Sequence, residues 1–322
     1  MSVFDIAIVG GGVISRAHLA AARNSGGRVR VVASVDRDEA ARKALADATG
    51  GAPVFASADE LFRADVKLDG LVLCTPPSVR IPIVQPALER GLAVLVEKPL
   101  AHTLEGAREL ADLAHKHPNV AAAVGYCHRF VPAVNEMKRR LGTGELGELV
   151  RVENVFASYF PAMRERWMSD PAVSGGGSFI DTGCHSLDLV RYLAGDGQVV
   201  SAIFRHDWPG RGESSATVVV KSGQTAGVIE SGWLEPARFK LNLVGTRGLL
   251  SYDYDRPTEL VLRPSEGTTQ VLEVGSHETR FDQQMLAFAA FAQGGGRGNL
   301  CGFTDGLRVA EMVDRARHLS II

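Results

Sequence analysis

The sequence predicts an α/β domain with a doubly wound parallel sheet, followed by an α+β domain built on an antiparallel sheet. Three observations carry this across the 322 residues. Up to residue 122, short β-branched runs alternate with helical segments. A glycine-rich turn joins the first run to the first helical segment. Beyond residue 125, strand-like segments dominate, and several are linked by hairpin chemistry.

The elements follow in order. Residues 4–9 form an apolar run that enters Gly10-Gly11-Gly12 and then the Ala-rich stretch 15–24. Residues 29–35 read as a second strand, and 37–48 carry a helical charge pattern. The run 70–74 precedes a proline-bearing turn and a helix around 83–90; 93–96, a long helix near 104–117 and the run 121–124 follow. Strands with so little polar alternation are buried on both faces, so helices must cover both sides of a parallel sheet. Next come a helix near 131–141 and a Gly-rich connector, 142–147. Strands are then expected at 149–160, 199–208, 215–221, 225–234, 239–245, 248–254, 259–263 and 268–274. One helix, 179–193, interrupts them, and later helices lie near 283–292 and 306–318. The expected domains are therefore 1–122 and 123–322.

Composition narrows the function. The chain is 45% hydrophobic and 22% charged, enough apolar material for buried cores and against disorder. A formal charge of -2 gives no global attraction to nucleic acid or anionic membranes. No apolar run approaches the roughly 18 residues of a membrane span, and the N-terminus has no secretory pattern. Cys74, Cys127, Cys184 and Cys301 lack the paired spacing of a zinc or redox motif, so reduced thiols, a cytoplasmic protein and no metal are expected.

Gly10-Gly11-Gly12-Val13-Ile14-Ser15 sits after the first strand and opens a helix. Bare backbone at Gly10 and Gly12 can approach a pyrophosphate, and the helix N-terminus at Val13 and Ile14 supplies N–H donors and a partial positive charge. Asp36 ends the second strand, where an acid accepts from the adenosine ribose hydroxyls. Asp36 would repel a 2′-phosphate, favouring NAD, while the adjacent Arg37 keeps NADP open. Thr75-Pro76 and Glu97-Lys98-Pro99 end two further strands at the edge where such sheets place ligands. In the second half, Gly175-Gly176-Gly177-Ser178 leads to Asp181 and His185, four apart on one helix, with Ser178 as the expected cap. An acid beside a histidine can orient the ring for general acid–base work. Asp188 is expected to cap or to form an ion pair.

These residues, with His18, Gly125-Tyr126, Arg129-Phe130 and Pro132, resemble the Gfo/Idh/MocA oxidoreductases in order and spacing. The resemblance implies an N-terminal Rossmann domain, a C-terminal domain with a large, mostly antiparallel sheet, and bound NAD, with NADP possible. It implies that Lys98, Asp181 and His185 meet around the reacting carbon as the catalytic set. It places Tyr126, Arg129, Tyr159, Arg164, Arg166 and Trp167 near the substrate. Two positions depart from the family: Ser15 replaces the third glycine, and Arg80 stands near a position where many members carry a histidine.

The activity so implied is hydride transfer between a nicotinamide and a secondary alcohol or ketone of a sugar, cyclitol or related polyol. Two other classes fit the same motifs: an NAD-dependent glycosidase working by transient oxidation, and a non-catalytic dinucleotide-binding regulator. The alternation in 216–229, valines on one face and threonines on the other, further predicts a homodimer or homotetramer formed through the C-terminal sheet.

Overall fold

The computed structural model describes residues 2–320, which form two compact units. The division is not the single break expected at 122. The first unit runs to Cys127 and regains Phe281–Leu307, while the second comprises His128–Arg280 and the chain from Arg308 onward. Contacts within the first unit explain the return, among them an aromatic pair and a strand pairing. The Phe288 ring packs edge-on against Phe4 at 5.6 Å, and the short strand Cys301–Gly302 pairs antiparallel with Ala122–Val124.

The first unit is an α/β layer structure. In chain order it contains β1 (Phe4–Val9), α1 (Val13–Arg23), β2 (Val29–Val35), α2 (Glu39–Ala48), β3 (Val54–Phe55) and α3 (Ala58–Arg63). It continues with β4 (Gly70–Leu73), α4 (Ile81–Glu89), β5 (Ala93–Val96), α5 (Leu104–Lys116) and β6 (Ala122–Val124). The central strands are buried along almost their whole length, as their uniformly apolar sequence requires. The sheet order is β6-β5-β4-β1-β2-β3, all parallel, with the returning strand 301–302 antiparallel at one edge. Consecutive strands depart to opposite sides of β1, so the carboxyl ends of β1 and β4 flank the switch point where open α/β sheets bind ligands. The two-residue β3 and the short α3 are too brief to leave a periodic signal, and sequence reading missed them.

The second unit contains α6 (Pro132–Gly142), β7 (Leu149–Tyr159), α7 (Pro171–Ser174), α8 (Cys184–Ala194), β8 (Gln198–Arg205), β9 (Ser215–Ser222) and β10 (Thr225–Gly232). β11 (Leu234–Gly245), β12 (Gly248–Asp253), β13 (Glu259–Pro264) and β14 (Gln270–Glu273) complete an eight-stranded sheet. Its order is β14-β13-β12-β11-β7-β10-β9-β8. All pairings are antiparallel except β7 with β10. α8 lies against this sheet so closely that a Cβ at Gly227 would stand 2.9 Å from Val190 Cγ1. Along β9, Ala216, Val218, Val220 and Ser222 are buried while Thr217 and Lys221 face out, the two-residue period of a one-sided sheet. Helix α9 (Arg280–Ala292), strand β15 (Cys301–Gly302) and helix α10 (Phe303–Leu319) end the chain.

Candidate active site

At the carboxyl edge of the first sheet, the glycine turn is demanded by geometry. Gly10 has φ +100, and a Cβ there would stand 2.9 Å from the Cys74 carbonyl carbon. The turn after β1 therefore rests directly on the turn after β4. Gly12 caps α1 with no side-chain hydrogen bond, no acid lies in the helix's first turn, and a Cβ at Gly12 would meet open space. An uncapped helix N-terminus beside open, side-chain-free backbone has the donors and partial charge that suit a pyrophosphate. The residues present fit a dinucleotide. Ser15 occupies the third-glycine position without disturbing this: it is buried, and its hydroxyl turns inward to donate to Gly12 O at 2.6 Å.

Asp36 does more than the sequence suggested. Its Oδ2 accepts from Gly11 N at 2.6 Å and its Oδ1 from Asp38 N at 2.8 Å, so the carboxylate braces the glycine turn. Arg37 is exposed, and its carbonyl accepts from Arg42.

Glu97 is buried with both oxygens engaged internally. His18 Nε2 donates to Oε1 at 2.8 Å, and the Lys98 N–H donates to Oε2 at 3.1 Å. A Cβ at Gly125 would come 3.0 Å from Oε1, so glycine makes room for the carboxylate. Burial pushes the Glu97 carboxyl up, but the His18 bond and the neighbouring Lys98 and Arg80 charges outweigh burial and hold it below its ordinary value. Glu97 thus supports the turn from inside the unit. Lys98, half-buried in the same turn, and Thr75-Pro76 remain at the edge where ligands bind.

In the second unit, one wide helical turn, Phe179–Gly183, precedes α8 and carries Asp181; His185 follows in the first turn of α8 and is buried. The expected cap does not form: Ser178 is itself helical and makes no capping bond. Glu213 takes its place, with Oε1 accepting from Gly177 N and Phe179 N, both at 2.9 Å. This explains the glycine triplet. A Cβ at Gly177 would lie 2.0 Å from Glu213 O, so only glycine lets that strand connection approach. Ser186 anchors α8 to β7 by donating to Asn154 Oδ1, and Asn154 donates to Lys240 O at 2.8 Å. The His128 ring meets His185 edge-on at 4.6 Å and is fixed by Tyr254 OH, 2.8 Å from Nδ1.

Two expected substrate contacts are buried. Arg129 is buried in a bidentate pair with Asp188, at 2.8 and 2.6 Å, and that edge of its guanidinium holds α8. Tyr126 is a core side chain, 1% exposed. Trp167 and Tyr159 are open, at 46% and 71% exposed. Arg166 stacks on Phe160 at 4.8 Å, and Arg164 pairs loosely with Glu165 at the surface. Glu213 and His128 escaped sequence reading: Glu213 lies 36 residues from Gly177, and an isolated histidine carries no spacing signal.

Among the described residues there is no cluster of three or more metal-ligating side chains and no helix long and apolar enough to cross a membrane. The model of the oxidoreductase family with an NAD-binding Rossmann fold matches residues 4–126, and the Gfo/Idh/MocA C-terminal domain model matches residues 134–251. The rhizopine catabolism protein MocA of Rhizobium meliloti is 33% identical over 200 residues, 61% of this chain and 58% of that protein. An inositol 2-dehydrogenase of Corynebacterium glutamicum is 27% identical over 231 residues, 72% of this chain and 61% of that protein. The chain thus spans about three-fifths of the length of these curated relatives. A levoglucosan dehydrogenase solved with NADH and L-sorbose superposes with a TM-score of 0.90 at 20% identity, covering 99% of this chain and 97% of that one. It shares the fold.

The ionised state of Glu97 has a stability consequence with a definite sign. A carboxyl held below its ordinary value contributes stability above the unfolded-state pKa and loses it as pH falls through the folded one. Glu97→Gln should cost about 1.5–3 kcal/mol at neutral pH, the range for hydrogen bonds to charged groups. Urea unfolding across pH should show that difference shrinking below the ordinary carboxyl value of 4.5. A difference that grew in acid would contradict the assignment.

Proposed function

The chain belongs to the Gfo/Idh/MocA oxidoreductase family, whose N-terminal domain is an NAD-binding Rossmann fold, and on that premise we propose that it is an NAD-dependent dehydrogenase acting on a secondary alcohol of a sugar, cyclitol or related polyol. The observation that carries the reading is the uncapped N-terminus of α1 beside side-chain-free backbone, at the same sheet edge as Lys98. In this reading Val13 and Ile14 hold the pyrophosphate through their N–H groups, and Asp36 accepts from the adenosine ribose. The names of the relatives, an inositol dehydrogenase and a levoglucosan dehydrogenase, support the polyol class.

When bound, the nicotinamide supplies a hydride acceptor. The protein's part is proton and charge management. His185 takes the hydroxyl proton as the C–H bond breaks, and returns it in the reduction direction. Lys98, as an ammonium, stabilises the negative charge that develops on the same oxygen. Asp181 orients the acid–base group. Trp167, 46% exposed, offers a flat apolar face on which a sugar ring can stack. The carboxylate of Asp36 favours NAD over NADP by repelling a 2′-phosphate. The buried thiols of Cys74, Cys127, Cys184 and Cys301 suit a reducing compartment such as the cytoplasm.

We also propose a homodimer or homotetramer through the second unit's sheet. Val200 and Ile203 on β8 are exposed, Ile203 at 71%, beside the outward face of β9. Light scattering at micromolar concentration should give at least twice the 34.4 kDa chain mass; a monomer would contradict it.

The activity is tested with a panel of inositols, glycosides, anhydro-sugars and sugar acids, run with NAD and NADP and scored by absorbance of the reduced nicotinamide. Net reduction should appear with at least one polyol and be faster with NAD. Lys98→Ala and His185→Ala should each lower kcat by about 10²–10⁴, the usual weight of acid–base and electrostatic groups. Wild-type rates in both variants, or no NADH binding in a fluorescence titration, would contradict the reading.

A further inference from the structure

Arg80 is a charged side chain in an apolar setting, 1% exposed at the start of α4. Burying a guanidinium costs several kcal/mol unless its donors are met and its charge is balanced. The two turns at the sheet edge supply acceptors for both of its terminal nitrogens. Nη2 donates to Thr75 O at 2.9 Å, after β4. Nη1 donates to Pro99 O and, at 3.3 Å, to Leu100 O, after β5. The buried Glu97 carboxylate supplies opposing charge, and its ionised form is favoured by Arg80 in turn.

These bonds bracket one residue. Upstream, the Lys98 N–H is held by Glu97 Oε2, which His18 holds from its other oxygen. Downstream, the next two carbonyls are held by Arg80. A flexible four-carbon ammonium can stabilise a developing charge only if its backbone is fixed, because a misplacement of about 1 Å can cost 10²-fold in rate. We propose that Arg80 is a positioning residue: a fork that ties the Thr75 turn to the Lys98–Leu100 turn and thereby sets where the Lys98 ammonium acts. The proposal rests on the dehydrogenase reading above and adds to it a residue whose planar, multi-donor head group is essential, since lysine cannot reach carbonyls on two turns at once.

The test is a double-mutant cycle on the polyol that the panel identifies, with folding checked by circular dichroism and NADH affinity by fluorescence. Arg80→Met should lower kcat by about 10–100-fold, with the polyol KM and the NADH Kd each within threefold of wild type. In a Lys98→Ala background, the same substitution should cost less than threefold, because its target is already gone. Arg80→Lys, which keeps the charge and loses the fork, should fall between Met and wild type. Additive losses across the cycle would overturn the proposal, as would loss of NADH binding in Arg80→Met, or failure of both Arg80 variants to fold. If Lys98→Ala alone left kcat unchanged, the role of Lys98 itself would fail. Additive losses with an impaired Lys98→Ala would leave that role standing and remove only Arg80's.

Discussion

A buried carboxylate organises the first unit's ligand-binding edge. Glu97 can remain ionised in the interior only because His18 and the Lys98 backbone donate to it and because positive charge stands nearby. Those requirements propagate. Gly125 must lack a side chain to admit the carboxylate, and His18 must lie on the inner face of α1, where Phe281 packs edge-on against it at 5.4 Å. The helix whose N-terminus faces the open glycine turn is thus linked to the turn that carries Lys98 through the His18–Glu97 hydrogen bond. Cys74 illustrates the same environment from the other side: burial and the Glu97 charge push its thiol well above the ordinary value, leaving it unreactive.

The second unit solves a different problem, which is to hold a histidine-bearing helix in one register. Its N-terminus is received by Glu213 rather than by a local cap, and this works only because Gly177 lets the backbone of Glu213 approach. Ser186 to Asn154 and Arg129 to Asp188 then pin α8 at two further points. A buried bidentate pair is weak evidence for stability, but removing one partner would leave an unpaired charge in the core. The arrangement restricts α8 more than it strengthens it, and so holds His185 in one place.

Much of this was legible in the sequence, for reasons that can be named. Apolar runs spaced by helices reveal a parallel sheet because burial on both faces leaves no alternation, and the alternation at 216–222 reveals a one-sided sheet for the opposite reason. Gly10 and Asp36 were legible because backbone geometry and strand ends impose residue types at fixed spacing. What stayed hidden was long-range. Nothing near Gly177 announces that Glu213 will cap it, and nothing near Arg129 announces its pairing with Asp188, 59 residues away. The return of 281–307 to the first unit depends on a two-residue strand and isolated aromatic contacts, Phe288 on Phe4 and Phe281 on His18, all below the reach of periodicity. Arg80 was visible as a departure, but its meaning lies in carbonyl positions that no side-chain pattern encodes.

The most direct measurement of the central claim follows the Glu97 carboxyl itself. Protein labelled with ¹³C at glutamate side-chain carboxyls, with Glu97→Gln used to assign the resonance, reports its ionisation by NMR as pH is lowered. The Glu97 signal should keep its carboxylate shift at and below pH 4.5, where an ordinary glutamate is half protonated. A midpoint above that value would mean that burial outweighs His18, Lys98 and Arg80, and the ordering of the whole edge around a buried charge would have to be abandoned.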